Sequence, residues 1–203
     1  MWSWGRLEIT WGFPLLAALV LLVGPGEALP QVALAAAGHE LGHLAALGLM
    51  GAPVQRLRLT AFGLELQADT RRLSYGREML CTLAGPGVNL LAALLLARGL
   101  GCCYALAGAN LVLGAFNLLP VQALDGGRAL WLGVSYLAEP VTADRVCRRV
   151  GLACAVGLVA LAAVLVAVHH TGLFLLLAAV GTLPPGRGRS CLTGDREPWY
   201  ISS

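Results

Sequence analysis

Lysine is absent from this sequence, and charge of either sign is scarce. Charged residues make up 12% of the 203 residues, whereas soluble domains contain about 25%. The arginines leave a net charge of only +3 and are scattered along the chain, which argues against a nucleic-acid-binding surface. Because 58% of the residues are hydrophobic, the composition also excludes a disordered chain and an ordinary soluble globule of this size.

The six cysteines lack the spacing of a metal-binding or redox motif. No two of them form a C-x-x-C pair, and most lie inside apolar stretches. We therefore interpret them as small core residues, and not as disulfides or a zinc ribbon.

Long apolar stretches dominate the chain and predict an all-α polytopic membrane protein. A spanning helix needs about 20 mostly apolar residues. Five or six such stretches are present, at residues 7–23, 28–50, 79–97, 100–119 and 150–183, the last of which divides at residues 169–172 into a two-helix hairpin. With the N-terminus inside, 13 of the 14 arginines fall on the inner side and only Arg98 falls outside. This bias favours six transmembrane helices over five and predicts cytoplasmic N- and C-termini.

The first apolar stretch has a second interpretation, as part of a cleaved signal peptide over residues 1–28. Its positive charge at Arg6 is offset by Glu8, and no A-x-A cleavage site follows. We therefore expect residues 1–185 to form one integral-membrane domain and residues 186–203 to form a polar, flexible tail.

The loop between the second and third stretches is amphipathic. Hydrophobic and polar residues alternate on both sides of Phe62 and Gly63, which predicts a short membrane-associated β-hairpin at about residues 52–70. Such a segment is either an interfacial loop or a sheet edge beside a functional site, and the alternation alone does not decide between the two.

His39, Glu40 and His43 form the pattern H-E-x-x-H within a predicted helix. Four residues make about one helical turn, so both imidazoles face the same side and can share one metal ion. Glu40 lies beside them, where it can take a proton from a metal-bound water. Polar side chains are costly inside a spanning helix, which favours a functional site over a packing role.

Asp125 is the candidate for a third metal ligand, because a catalytic zinc ion needs three protein ligands and one open position. The three other aspartates lie in polar loops or in the tail, and they are Asp69, Asp144 and Asp195. By itself, Asp125 before Gly126 and Gly127 is more typical of a turn or a helix N-cap. The fourth stretch, however, delivers Asp125 to the same inner side as His39 and His43, and this convergence favours the ligand.

Together these residues resemble the site-2 protease family of intramembrane zinc metalloproteases, peptidase family M50. The resemblance rests on the H-E-x-x-H pattern, on residues 117–127 with Asn117, Pro120 and Asp125, and on residues 84–89, and it covers about residues 5–185. The closest branch is the sporulation protease that processes a pro-sigma factor, the stage IV sporulation protein FB type. Ala123 stands where that branch usually has a second proline, and we expect no C-terminal CBS domain.

The resemblance implies one Zn²⁺ per chain, with His39, His43 and Asp125 as its ligands. It implies that Glu40 is the general base, and that Asn117 holds the substrate carbonyl or the developing oxyanion. It also favours the hairpin as a substrate-pairing edge. The substrate-binding residues that it implies are Val54, Leu57, Leu59 and Phe62.

The implied activity is that of an intramembrane zinc metalloendopeptidase in a bacterial cell membrane. It would cleave transmembrane or membrane-associated proteins near the cytoplasmic face, as in pro-sigma factor processing during sporulation. The implied partners are the lipid bilayer, a membrane-associated protein substrate and membrane regulatory proteins, with no nucleic acid. The alternative is a polytopic metal transporter, or a metal-binding membrane protein without protease activity. A transporter would need ligands along a path across both leaflets, yet only His169 and His170 sit near the outer side.

Overall fold

The computed structural model describes residues 2–4, 7–9, 29–60, 63–70, 72–99, 103–122, 124–169 and 199–202. Within these ranges the chain forms five helices and five short strands. The helices are α1 Leu29–Leu49, α2 Tyr75–Gly99, α3 Tyr104–Asn117, α4 Asp125–Leu137 and α5 Pro140–His169. The strands are β1 Trp2–Trp4, β2 Leu7–Ile9, β3 Val54–Thr60, β4 Gly63–Ala68 and β5 Trp199–Ser202.

Three of the described helices are long and apolar enough to cross a membrane. They are α1, α2 and the Pro140–Val164 part of α5, with 21, 25 and 25 residues. At about 1.5 Å per residue, each exceeds the roughly 30 Å of a hydrocarbon core. Many large apolar side chains on these helices face outward, as a lipid-facing surface requires.

The fourth predicted span is shorter in the structure than the sequence suggests. Residues 100–119 were expected to cross the membrane, but α3 has 14 residues and ends at Asn117. That is about 21 Å of helix, too short to span without help from its neighbours. The helix stops because the backbone turns before Pro120: the Leu119 amide donates to the Phe116 carbonyl in a tighter i→i−3 bond.

The predicted count of six transmembrane helices is not supported by the described part of the chain. Residues 10–28 and 170–198, which contain most of the first predicted span and the end of the last, lie outside the described residues. The first span does not begin as a helix, since Leu7–Ile9 is strand β2. In the last block, α5 begins at Pro140, ten residues earlier than expected, with proline at the position of a helix that tolerates it best.

The all-α class is corrected by a five-stranded sheet in the order β1-β2-β3-β4-β5. Where a single hairpin was expected, β3 and β4 pair antiparallel, with Thr60 opposite Gly63. On the other side β3 pairs in parallel with β2, and β4 pairs antiparallel with β5. The hairpin strands are therefore inner strands of a sheet, and β1 and β5 lie at its edges.

The helices pack around polar side chains as well as apolar ones. Helices α1, α2 and α3 contact one another, α2 also contacts α4, and α4 packs on α5. Cys81 and Cys147 lie in two buried hydrophobic clusters, as expected for small core residues. The fully buried side chains also include those of His39, His43, Asn89 and Asp125. Burying polar and ionisable side chains within a membrane protein costs free energy, so such a group indicates a functional site.

Candidate metal centre

Two helices bring three ligand-type side chains to one point. Helix α1 places His39 and His43 one turn apart, and their Nε2 atoms lie 3.1 Å from each other. Asp125, the first residue of α4, places its Oδ2 atom 3.1 Å from each of these nitrogens. All three side chains are buried, with at most 2% exposed. The predicted metal ligands are thus together in space.

Asp125 reaches this point because the chain folds back tightly after α3. A Cβ atom on Gly126 would lie 2.6 Å from the Leu119 carbonyl oxygen, and one on Gly127 would lie 2.9 Å from the Gln122 amide nitrogen. Both distances are shorter than side chains tolerate, so only glycine lets the first turn of α4 pack onto the preceding loop. The two glycines after Asp125 therefore serve the placement of its carboxylate.

The second ring nitrogen of each histidine is held by a hydrogen-bond partner. His43 Nδ1 donates to the Cys81 carbonyl oxygen at 2.8 Å, since that oxygen can only accept. His39 Nδ1 lies 2.8 Å from Asn89 Oδ1. A ring that donates from Nδ1 presents a lone pair at Nε2, so two lone pairs and a carboxylate oxygen face one another. Three acceptors this close favour a cation between them.

The spacing fits zinc. Zinc bonds of about 2.0–2.1 Å in a tetrahedron place ligand atoms roughly 3.3 Å apart, and the three donor atoms here are 3.1 Å apart. His39, His43 and Asp125 form a group that could hold a metal ion. Two imidazoles and one carboxylate leave the fourth position open, which is the arrangement of a catalytic site.

Gly85 on α2 keeps space beside His43. A Cβ atom there would lie 2.7 Å from His43 Cδ2 and Cε1, and closer still to Nε2, the nitrogen that faces Asp125. We therefore expect Gly85→Ala to displace the imidazole and weaken zinc binding at least about tenfold, the scale of disturbances to the ligand shell. Metal titration of the purified variant checks this.

Gly87→Ala is the matched control, because nothing lies within 4 Å of a Cβ atom at that exposed position of the same helix. It should bind metal like the wild type. Equal affinity in Gly85→Ala would contradict the packing described for His43.

A partly buried ion pair joins α2 to α4 one turn from the cluster. Arg128 Nη2 donates to Glu78 Oε1 at 2.7 Å, with 10% and 7% of the two side chains exposed. Arg128 follows Asp125 by three residues, and Glu78 precedes Cys81 by three. The pair therefore helps to hold the Asp125 helix against the helix whose carbonyl orients His43.

The other predicted site residues have different surroundings. Glu40 is half-buried on α1, next to His39. Asn117 is buried at the end of α3, where its Nδ2 donates to the Leu113 carbonyl at 3.1 Å. Its Oδ1 atom has no hydrogen-bond partner among the described residues. No described contact joins Asn117 to the histidine and aspartate cluster.

The predicted substrate-binding residues lie in or near β3. Val54 is half-buried and packs against the cluster that contains Leu47 and Cys81. Leu57 and Leu59 are in backbone register with β2 on one side and β4 on the other. Phe62 lies outside the described residues.

Sequence reasoning missed two contributors to the centre. The Cys81 carbonyl is a backbone group and leaves no signal in the sequence. Asn110, on α3, hydrogen bonds to Asn89 and was not singled out. A signal did exist, since Asn110 stands seven residues before Asn117, which places two amides on one face of an otherwise apolar helix.

The fold and the site define a class: a helical membrane protein whose long helices enclose a buried two-histidine, one-aspartate centre. The family model of peptidase family M50 matches residues 99–158. A zinc metalloprotease of Methanocaldococcus jannaschii is 30% identical over an alignment of 102 residues, and the match covers 45% of this chain and 30% of that protein. The chain thus spans less than a third of that curated relative.

The likeness in structure extends further along the chain than the likeness in sequence. The solved site-2 protease from Methanocaldococcus jannaschii matches with a TM-score of 0.59, covers 90% of each chain and is 22% identical. This match shows that the chain shares the fold of that structure. The sequence matches support a relationship to peptidase family M50.

Proposed function

We propose that this protein is an intramembrane zinc metalloendopeptidase. The observation that carries the proposal is the convergence of His39, His43 and Asp125 on one buried point, where their Nε2 and Oδ2 atoms face one another although Asp125 follows His43 by 82 residues. Peptide hydrolysis in a bilayer needs activated water where water is scarce. A zinc ion supplies Lewis acidity that lets water lose a proton near neutral pH.

Glu40 takes the role of general base. It neighbours His39 on α1, and although the residue as a whole is half-buried, its carboxylate Oε2 atom is buried. It accepts a proton from the attacking water and passes it to the leaving amine. The fixed lone pairs of His39 and His43 do not compete for this proton, since each is directed at the metal position.

Asn117 has the chemistry to bind the substrate backbone. Its Nδ2 group carries a second hydrogen besides the one donated to Leu113, which suits a carbonyl or an oxyanion. Its buried Oδ1 has no described partner and can accept a bond from a substrate amide. We infer that both atoms are used when a substrate segment is bound.

We propose further that the sheet presents backbone groups to the substrate. A helix ties up its own carbonyls, so the scissile segment must unwind, and strand addition stabilises the unwound form. Because β3 is paired with β2 on one side and β4 on the other, a substrate strand that pairs with β3 takes the place of β2. Val54, Leu57, Leu59 and Phe62 remain the residues that we propose for substrate binding.

Leu57→Pro tests the strand proposal. Proline removes one backbone N–H from β3, so we expect substrate cleavage to fall severalfold or more while the zinc content stays the same. Leu57→Ala is the control, because it shortens the side chain and keeps the N–H. If the proline variant binds zinc and cleaves as fast as the alanine variant, β3 does not hold the substrate through its backbone.

The finer features of the proposal follow from the arginine bias and the resemblance. We propose that residues 1–185 form one integral-membrane domain, that both termini lie in the cytoplasm of a bacterial cell, and that cleavage occurs near the cytoplasmic face. Processing of a pro-sigma factor in sporulation, and control by membrane partner proteins, are the roles we assign. Metal transport is the weaker alternative, because the described ligands gather at one point and not along a path.

The test is cleavage by the purified chain in liposomes that hold a panel of single-span membrane proteins. We expect new peptide ends within or beside the spans, loss of cleavage after treatment with a zinc chelator, and recovery when Zn²⁺ is added. Cleavage that survives complete removal of zinc would overturn the proposal. So would uptake of Zn²⁺ into the liposomes without any cleavage.

A further inference from the structure

A line of buried side-chain amides runs from the metal centre into the helix bundle. Asn89 on α2 places its Oδ1 atom 2.8 Å from His39 Nδ1. Its Nδ2 group donates to the Ala35 carbonyl at 3.1 Å and to Asn110 Oδ1 at 3.0 Å. Asn110 on α3 donates from its own Nδ2 to the Leu106 carbonyl at 2.9 Å. Asn89 is fully buried and Asn110 is 5% exposed.

The direction of every bond in this line follows from one backbone carbonyl. The Leu106 oxygen can only accept, so the NH₂ group of Asn110 faces it and its oxygen is left for Asn89. The NH₂ group of Asn89 then has two acceptors, the Ala35 and Asn110 oxygens. Turning the Asn89 amide over would oppose oxygen to oxygen at both places. Asn89 Oδ1 is therefore fixed towards His39.

The orientation of the Asn89 amide determines which ring nitrogen of His39 is free to bind a metal ion. An oxygen at His39 Nδ1 requires that nitrogen to carry the proton, which leaves the lone pair on Nε2, where Asp125 and His43 also point. The two ligand histidines differ in this respect. His43 is held by a main-chain carbonyl, whereas the tautomer of His39 depends on two side chains from other helices.

We propose that Asn89 and Asn110 are positioning residues that together hold His39 in its metal-binding tautomer and ring orientation. This inference rests on the zinc centre proposed above. Asn110 acts only through Asn89, because in the described contacts its oxygen meets the Asn89 amide and does not meet His39. The line also links α1, α2 and α3, so the packing of three helices sets the geometry of one ligand.

The test is the dissociation constant of Co²⁺, a substitute for zinc whose binding is followed by visible absorption, measured on the purified full chain in detergent. Loss of a hydrogen-bond partner of a ligand histidine costs about 10–100-fold in metal affinity. We expect Asn89→Leu to weaken Co²⁺ binding by about that factor, and Asn110→Leu to weaken it by a smaller factor. The double variant should bind no more weakly than Asn89→Leu, because both changes break the same line.

Thr82→Val is the matched control. Thr82 is a fully buried polar residue of α2 whose hydroxyl donates to the Glu78 carbonyl of its own helix, apart from the amide line. It should keep the wild-type affinity. A purely structural role for the asparagines predicts instead that the two single losses add in the double variant.

Three outcomes decide the matter. Tight binding in Asn89→Leu, within about twofold of the wild type, overturns the inference and leaves the zinc centre standing. Additive losses in the double variant also overturn it. Absence of Co²⁺ binding in the wild type overturns the proposed metal centre, and the inference with it. If Asn89→Leu does not fold, Asn110→Leu, one hydrogen bond further from the centre, is the test. An unchanged Co²⁺ affinity in that variant would refute the proposed role of the two asparagines.

Discussion

Glu40→Gln is expected to lose peptide cleavage while it keeps its metal. The amide has nearly the shape of the carboxylate but cannot accept the proton of the attacking water, and positioned general bases contribute about 10²–10⁴-fold to rates. Glu40 is not one of the three converging side chains, so the ligand set is intact without its charge. Single-turnover cleavage and zinc content of the same preparation measure both effects.

This prediction separates catalysis from metal binding. Leu41→Ala, at the exposed neighbouring position, is the control and should leave both cleavage and zinc content unchanged. A Glu40→Gln protein that cleaves at the wild-type rate would refute the assignment of the base. If the Glu40→Gln variant loses zinc as well, Glu40 is a metal ligand or a structural support and not only a base.

Asp125→Ala should remove the metal and, with it, all cleavage. The carboxylate is 2% exposed, and its Oδ2 atom faces the Nε2 atoms of both histidines. Removing a direct ligand should lower metal affinity by more than the 10–100-fold that follows removal of a hydrogen-bond partner of a ligand. His43→Ala should behave in the same way. Metal titration and zinc analysis after purification check the result.

Asp144→Ala is the comparison for Asp125→Ala. Asp144 accepts a hydrogen bond from Trp131 Nε1 at 2.8 Å and takes no part in the cluster. Its loss should leave metal affinity unchanged. An Asp125→Ala protein that binds zinc as tightly as the Asp144→Ala protein would mean that the third ligand is another residue.

The ligands could be predicted from the sequence because their placement is local. Positions 39 and 43 share a helix face whatever surrounds them. Asp125 required one further step, the alternation of spans across the membrane, and the structure brings it to the histidines. Asn110 was missed although it shares a helix face with Asn117, because its bond to Asn89 depends on how α3 packs on α2.

The fold was predictable only where composition decides it. Apolar length identifies α1, α2 and α5 as candidate spans. The sheet was only partly foreseen, because β2 pairs with β3 across a large separation in sequence and strands of three residues carry almost no periodic signal. Residues 100–119 are as apolar as a span, yet α3 is shorter, since the turn before Pro120 ends the helix.

X-ray absorption at the zinc edge of the purified chain tests the central claim most directly. Three side chains from distant parts of the sequence should hold one zinc ion, so the account predicts a four-coordinate shell of nitrogen and oxygen at about 2.0–2.1 Å. The nitrogen contribution should come from two imidazoles and should disappear with the metal in His43→Ala. Sulfur at about 2.3 Å, or a wild-type chain purified without zinc that cannot take it up, would contradict the account.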